Sequence, residues 1–265
     1  MKATITFLGT LIALVAGTNS AYAADVTARD IAAVLHRADG TTPLDLSGRD
    51  LEGLDLSGID FKKTRLEGAK MFGVNLSNSN LAGADLSEAK LDRVNIIGAR
   101  FDGADLSKIS MLRPATTETR GAATGIGAPS FVAANLSGAK LFGQLSRVDF
   151  SNANFEGASL APFSRTGFIE DLFRTEMEGA KLDGANFRAA DLTYVSFRYA
   201  SLRGADLRNA KLLHADLSRV DLTDADLTGA DVSEADFDGA ILSGAKGLDE
   251  LANRSSARNL APRTN

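Results

Sequence analysis

The chain has 265 residues, of which 44% are hydrophobic, so it is long enough to bury a sizeable core. Its formal net charge of -5 argues against a uniformly basic surface for nucleic acid. It contains no cysteine, which excludes a disulfide framework, a thiolate nucleophile and a zinc-thiolate site.

Residues 1–23, MKATITFLGTLIALVAGTNSAYA, have the pattern of a secretory signal peptide. Lys2 gives a cationic start, a short apolar stretch follows, and Ala21-Tyr22-Ala23 supplies the small residues that a signal peptidase accepts. The apolar stretch is shorter than the roughly 20 residues of a membrane helix, and no later segment reaches that length. We expect cleavage after Ala23 and export to the periplasm or the exterior; a retained N-terminal anchor is the alternative.

Residues 24–43 predict an N-terminal capping helix and a linker. Thr27 and Asp30 have the spacing of a capping box, and Gly40 provides a stop. Apolar residues recur on one helical face, at Ile31, Val34, Leu35 and Ala38. We expect this helix to cover the first turn of the repeat that follows.

An apolar residue recurs at every fifth position over most of the remaining chain. One block of fourteen such positions runs from Leu46 to Met111, and a second block of fourteen runs from Met177 to Leu242. Two short runs lie between the blocks: Phe131-Leu136-Leu141 and Phe150-Phe155-Leu160. A period of five gives no stripe on a helix and alternates between the faces of a flat strand. The chain must therefore bend once per repeat and wind into a stacked coil.

The other repeat positions support a wound coil. Two residues before each apolar centre the second block mostly has Ala, which suits a second, cramped inward position. The residue before the centre is mostly Asp, Asn, Lys or Ser, and Gly is frequent two residues after the centre. Glycine is typical of a turn at that position.

The repeats ADLTG, ADLSE, ANLSG, GANFR and GADLR resemble the A(D/N)LXX signature of pentapeptide repeat proteins. The resemblance covers residues 44–246, apart from interruptions at 112–130 and 161–170. It implies an all-β solenoid, a right-handed quadrilateral β-helix with four repeats per coil and about ten coils in this chain. It is highly specific for the fold and says little about activity. Members often form end-to-end dimers, so we expect a monomer or such a dimer.

The interruption at 112–130 spans twenty residues from Met111 to Phe131, which would equal one whole coil. Because its would-be centres include Thr116 and Gly121, we expect an exposed, mobile loop, with Phe131 following Met111 in phase. Recognition often resides in loops on rigid scaffolds. We therefore predict partner contacts at Thr116, Thr119 and Arg120.

Residues 247–265 are expected to form a C-terminal cap and a tail. Leu248 and Leu251 would fold one short turn over the last coil. The basic segment from Arg254 to Asn265 is expected to be disordered.

No catalytic constellation is present in the sequence. Only two histidines occur, His36 and His214, and no Ser has the context of a catalytic nucleophile. We predict no catalytic residue, cofactor or metal. With twenty residues per coil, Arg174, Tyr194 and His214 would stack on one face, with Arg198 and Tyr199 one corner away. Exposed aromatic and cationic side chains are common in recognition patches, so these five are predicted partner contacts.

Charge is uneven along the second block. Residues 172–211 hold seven basic and five acidic side chains, a net of +2, whereas residues 212–243 hold eight acidic and one basic, a net of -7. A cation or a small ligand on outward Asp, Tyr and His positions is the alternative function. DNA mimicry is disfavoured, because about one charge per 8 Å of rod is far below the one per 1.7 Å of DNA. The prediction is an exported scaffold for protein–protein interaction.

Overall fold

The computed structural model describes residues 26–37, 43–61, 63–117, 127–162 and 174–260. Its regular elements are helix α1 (Ala28–Arg37), strands β1 (Ser110–Leu112) and β2 (Lys140–Phe142), and a 3-10 helix (Arg254–Ser256). Strands β1 and β2 pair in parallel, and the other pairings are single parallel bridges that join residues mostly twenty apart. The chain is thus a right-handed quadrilateral β-helix.

Four parallel ladders form the four sides of the helix. The first side begins at Asp45, the second at Asp50, the third at Asp55 and the fourth at Asp60. The fourth ladder has nine steps within the described residues: Asp60, Asn80, Arg100, Ser130, Asp149, Lys181, Ser201, Asp221 and Ile241. The described chain therefore completes nine coils, about 40 Å at the usual spacing between strands.

Each repeat turns one corner, and its residue types follow from that turn. The carbonyl of Leu51 accepts a bond from the N–H of Leu54 at 3.2 Å. Between them lie the first turn residue, Glu52, and the second turn residue, Gly53, which has φ 68°. The Asp before a centre fixes the turn after it: the Asp221 carboxylate accepts bonds from Thr223 N at 2.9 Å and Thr223 Oγ1 at 2.6 Å. In the recurring Asp-Leu-Ser/Thr pattern, the aspartate carboxylate therefore stabilises the corner by accepting hydrogen bonds from the Ser or Thr. We call this pair of bonds the corner clasp.

The core is a continuous column of the predicted apolar centres, which are fully buried through the middle of the rod. Phenylalanine rings stack along the fourth side, with centroids 4.7 Å apart for Phe101 and Phe131 and 4.9 Å apart for Phe131 and Phe150. Phe155 and Phe187 stack on the first side at 4.6 Å. These rings join coils on either side of each interruption in the repeat.

Helix α1 packs on the first coil. Ile31 and Leu35 are buried in the same cluster as the repeat centres. The predicted capping box is present, since Asp30 N donates to Thr27 Oγ1 at 3.2 Å and Thr27 N donates to Asp30 Oδ2 at 3.3 Å. The predicted signal peptide, Ala38 and Gly40 lie outside the described residues.

The expectation for 112–130 is wrong in register. Ser110, next to Met111, pairs with Lys90 below and Lys140 above on the second side, whereas Phe131 lies on the fourth side. Thr116 occupies the third-side centre between them, buried to 3% exposure, with its hydroxyl donating to the Gln144 carbonyl at 2.8 Å. That bond lets a threonine replace leucine. The interruption therefore adds ten residues inside one coil, and residues 118–126 lie outside the described part.

Two further irregularities occur above that coil. The repeat from Leu141 to Leu145 has only four residues, and Leu145 is a fully buried centre that the sequence pattern did not reveal. The omission is accommodated by Gly143 at φ 141°, where a Cβ would lie 3.1 Å from the Cα of Arg113. The other irregularity, predicted at 161–170, separates Leu160 from the next centre, Met177; residues 163–173 lie outside the described part.

The C-terminal segment forms a last, partial turn. Leu251 is buried, and Ala252 and Arg258 pair with Asp231 and Asp236. The expected disorder from Arg254 is therefore wrong for residues 254–260, which are held by side-chain amides: Asn253 donates to Asp231 at 3.0 Å and Asn259 donates to Asp236 at 2.7 Å. Residues 261–265 are not described.

Candidate functional site

Five of the predicted contact residues lie together on the third side and its two corners. We call them the third-side surface: Arg174, Tyr194, Arg198, Tyr199 and His214. Tyr194 and His214 occupy the corner between the second and third sides, and Arg198 and Tyr199 occupy the corner between the third and fourth. The other three predictions are not joined to it by the structure. Thr116 is buried, and Thr119 and Arg120 lie outside the described residues.

Tyr194 and His214 form one stacked column, as the twenty-residue spacing predicted. Their ring centroids are 4.6 Å apart with an interplanar angle of 12°. The column continues upward, because His214 Nδ1 lies 3.3 Å from Glu234 Oε2. This corner thus presents a hydroxyl, an imidazole and a carboxylate in successive coils.

At the other corner, between the third and fourth sides, Tyr199 lies close to two arginines. The guanidinium carbons of Arg198 and Arg219 lie 5.6 Å and 5.5 Å from the centre of its ring. Arg219 Nη1 also donates to the Tyr199 hydroxyl at 3.1 Å. Hydrogen bonding to Tyr199, and then the charge of Asp216, raise the pKa of Arg198. Tyr199 is nevertheless 47% exposed, so a partner can reach it.

Ion pairs connect the two corners across the third side. Asp216 Oδ2 lies 4.0 Å from Arg174 Nη1 and 3.9 Å from Arg198 Nε. Arg174 Nε also donates to Glu176 Oε1 at 2.9 Å. These pairs position the cationic groups beside the aromatic ones. Asp216 and Arg219 were missed as members of the group; their separations of 18 and 20 residues from Arg198 and Tyr199 are the signal that would have identified them.

The aromatic residues occupy a backbone position that favours glycine. Tyr194, Tyr199 and His214 have φ values of 61°, 58° and 55° at the second turn residue of their repeats. Left-handed backbone costs a bulky residue on the order of 1 kcal/mol. The backbone conformation by itself therefore gives no reason for tyrosine at these two corners.

Arginines of residues 172–211, the basic band, pair with aspartates of residues 212–243, the acidic region. Arginine at the first turn residue reaches the aspartate 18 residues later in the next coil, at 3.9 Å for Arg198–Asp216, 3.0 Å for Arg203–Asp221 and 3.8 Å for Arg208–Asp226. Within the described ranges no group of three or more His, Asp or Glu side chains could hold a metal ion. Three of the eight acidic side chains of the acidic region are thus paired with arginines of the basic band.

Three interruptions of the five-residue period border the third side. The ten added residues enter at its corner with the fourth side, between Thr116 and the bridge of Ser130. The four-residue repeat and the interruption after Leu160 lie at its corner with the second side, in the next two coils. Period counting alone could not show this, because it assigned the first interruption to a whole coil.

Comparison with known proteins assigns the repeats. The family model of pentapeptide repeats matches at residues 45–78, 69–107, 171–209 and 205–244, just over half of the chain. The crystal structure of HetL, a pentapeptide repeat protein involved in heterocyst differentiation regulation in the cyanobacterium Nostoc sp., is 26% identical, with 87% of this chain and 98% of that chain covered and a TM-score of 0.38. QnrB1, a plasmid-mediated fluoroquinolone resistance protein, is 20% identical, with coverage of 78% and 94% and a TM-score of 0.42. Among curated proteins no significant match is found. In the described ranges no helix is long and apolar enough to span a membrane.

Proposed function

Because the chain belongs to the pentapeptide repeat family of β-helical scaffolds, we propose that it is an exported, non-catalytic scaffold that binds a protein partner through the third-side surface. The observation that carries the proposal is the gathering of both tyrosines and the histidine of the repeat rod on one side, beside three arginines. Tyrosine and arginine are enriched among the residues that contribute most to binding in protein interfaces.

Three features of the surface favour a protein partner over a small ligand. The group extends along the rod and across one whole side, and it has no set of convergent ligands for a cation among the described residues. The three bridged aspartates of the acidic region already have arginine partners. The interruptions of the repeat adjoin the same side of the rod.

Alanine at three equivalent arginines tests the proposal. Arg198, Arg203 and Arg208 occupy the same repeat position on successive corners and make the same kind of ion pair, but only Arg198 belongs to the third-side surface. We expect Arg198→Ala, combined with His214→Ala, to lower capture of a partner from the exported fraction at least tenfold, about 1.4 kcal/mol. Arg203→Ala and Arg208→Ala should retain it.

Equal capture by all variants would contradict the location of the site, and loss of capture with all three arginine variants would indicate a general charge effect.

Export is tested separately: the N-terminal sequence of the protein recovered from outside the cytoplasm should begin at Ala24. A protein found only in the cytoplasm would refute export.

A further inference from the structure

The second side carries a row of lysines in coils two to five. Its ladder there runs Lys70, Lys90, Ser110, Lys140, so three lysines fall within four successive strands, about 14 Å. All three side chains are exposed. Lys70 has one distant partner, Asp50, at 3.9 Å, and Lys90 and Lys140 form no ion pair with any described residue. Like charges directly opposite each other, as at Lys70 and Lys90, are unfavourable in a sheet.

An exposed aromatic residue lies beside this row, on the corner between the second and third sides. Phe72 is 46% exposed, and the guanidinium carbon of Arg93 lies 5.7 Å from the centre of its ring. Phe72 follows Met71, the centre next to Lys70, so the ring and the first lysine belong to one repeat. We refer to Lys70, Phe72, Lys90, Arg93 and Lys140 together as the lysine surface.

The region is locally cationic in an acidic protein. Over coils two to five, the second side and its two corners hold six basic residues (Lys70, Lys90, Arg93, Lys108, Arg113, Lys140) and three acidic ones (Glu67, Glu88, Asp92), a net of +3. The acids are already engaged, since Glu67 lies 3.5 Å from Arg65 and Glu88 lies 3.1 Å from Lys108. Asp92 accepts bonds from Ser110 Oγ and Leu112 N.

We propose that the lysine surface binds an anionic lipid membrane. Lysine ammonium groups are flexible point charges without the fixed fork of arginine, which suits headgroup phosphates that have no fixed spacing. The lysines lie in a line along one side of the rod, an arrangement that fits a plane. The exposed Phe72 ring on the adjoining corner supplies the apolar group that inserts at the level of the headgroups. This site lies on another side and mostly in other coils than the third-side surface, so it is independent of the proposed partner site.

Co-sedimentation with vesicles tests the proposal on the full chain. The probe is phosphatidylcholine vesicles with phosphatidylglycerol as roughly a third of the lipid, and pure phosphatidylcholine vesicles are the neutral reference. The variant Lys70→Gln/Lys90→Gln/Lys140→Gln removes the row. The matched control is Lys63→Gln/Lys181→Gln/Lys246→Gln, which changes three exposed lysines that lie off the second side and gives the same composition and net charge. Circular dichroism verifies that both variants fold.

We expect the parent to bind the anionic vesicles and not the neutral ones, with binding that weakens as salt rises. Each lysine near an anionic surface strengthens binding about fivefold, so the row variant should lose about a hundredfold, while the control stays within about twofold. Phe72→Ser alone should also weaken vesicle binding relative to the parent, and it should leave binding to soluble polyglutamate unchanged. No binding to anionic vesicles, or equal loss in both lysine variants, would overturn the proposal. Binding to polyglutamate without binding to vesicles would overturn it in favour of an acidic protein partner.

Discussion

At the scale of the residue, the second turn position determines both the strain and the chemistry of each corner. Glycine occupies it in many repeats with φ near 65°, for example at Gly68 and Gly239. Tyr194, Tyr199 and His214 occupy the same position with the same positive φ. Their side chains project from the corner because the inward positions belong to the centre and to the residue two before it. Recognition chemistry can therefore change at a corner without disturbing the core.

Replacing the tyrosines with glycine should separate stability from binding. Tyr194→Gly/Tyr199→Gly relieves left-handed strain of about 1 kcal/mol per residue and loses ring contacts of similar size. We expect the free energy of unfolding to stay within about 1 kcal/mol of the parent while partner capture is lost. Chemical denaturation and capture measure the two quantities. A loss of stability above about 3 kcal/mol would show that the rings serve as corner packing.

The carboxylates that clasp the corners predict an acid-sensitive rod. Hydrogen bonds from Thr223 and Thr228 are the largest causes that lower the pKa of Asp221 and Asp226, and the guanidinium of Arg208 lowers that of Asp206. A lowered pKa in the folded state gives stability that is present above the ordinary pKa of about 3.9 and is lost as pH falls through the folded value. The free energy of unfolding should therefore decrease below about pH 4.

Thr223→Val/Thr228→Val should reduce this acid dependence and lower stability at neutral pH by on the order of 1 kcal/mol. Ser243→Ala is the control, because Ser243 has the same repeat position but the residue two before it is Ile241 instead of an aspartate. Urea midpoints measured from about pH 3 to pH 7 give the comparison. An unchanged pH dependence in the double variant would refute the role of the clasps.

At the scale of the element, the register of each coil follows from the side of the rod on which each apolar centre lies. Thr116 and Phe131 are fifteen residues apart but occupy adjacent sides, as two centres five residues apart normally do. In a regular repeat, the N–H of the second turn residue donates to the carbonyl of the first turn residue in the coil above. Gly98 N donates in this way to the Gly127 carbonyl, so Gly127 occupies the first turn position after Thr116. Residues 117–126 are thus the ten added residues.

Deleting 117–126 should leave a regular repeat, in which Gly127 directly follows Thr116. We expect the variant to keep its β spectrum and to melt within a few degrees of the parent, since loop length contributes little to stability. Deleting 111–130 instead places Phe131 on the second side and separates its ring from Phe101 and Phe150. Loss of a stacked core aromatic costs about 3–5 kcal/mol, so this variant should melt far lower. Equal melting of both variants would contradict the observed register.

The sequence predicted the coil, its period and most of its core, because a fixed period with uniformly apolar centres leaves one way to bury them. The column of Tyr194 and His214 was predicted from the twenty residues per coil that the family resemblance implies. The register across interruptions was not predictable, because it depends on single tertiary contacts. Thr116 is tolerated inside through its bond to Gln144, and the four-residue repeat at Leu145 depends on the backbone of Gly143. The ordered C-terminal turn likewise depends on the amides of Asn253 and Asn259.

At the scale of the whole molecule, the rod separates stability from recognition. The four sides share one core, and their outer chemistry differs: lysines lie on the second side in coils two to five, and aromatic and arginine groups lie on the third side in coils six to eight. Paired arginines and aspartates occur on the third, fourth and first sides alike, so they do not distinguish a binding side. We therefore propose that protein recognition is confined to the third side.

Cross-linking from single cysteines tests that assignment most directly, because the chain has no cysteine of its own. Arg203, Arg208, Leu213 and Ser218 occupy the first turn position of four consecutive corners, one for each corner of the rod, and none of them belongs to the third-side surface. With a thiol-linked photoprobe at each position in turn, partner cross-links are predicted from Leu213→Cys and Ser218→Cys, which border the third side. Strong cross-links from Arg203→Cys and Arg208→Cys, with none from the other two, would contradict the account.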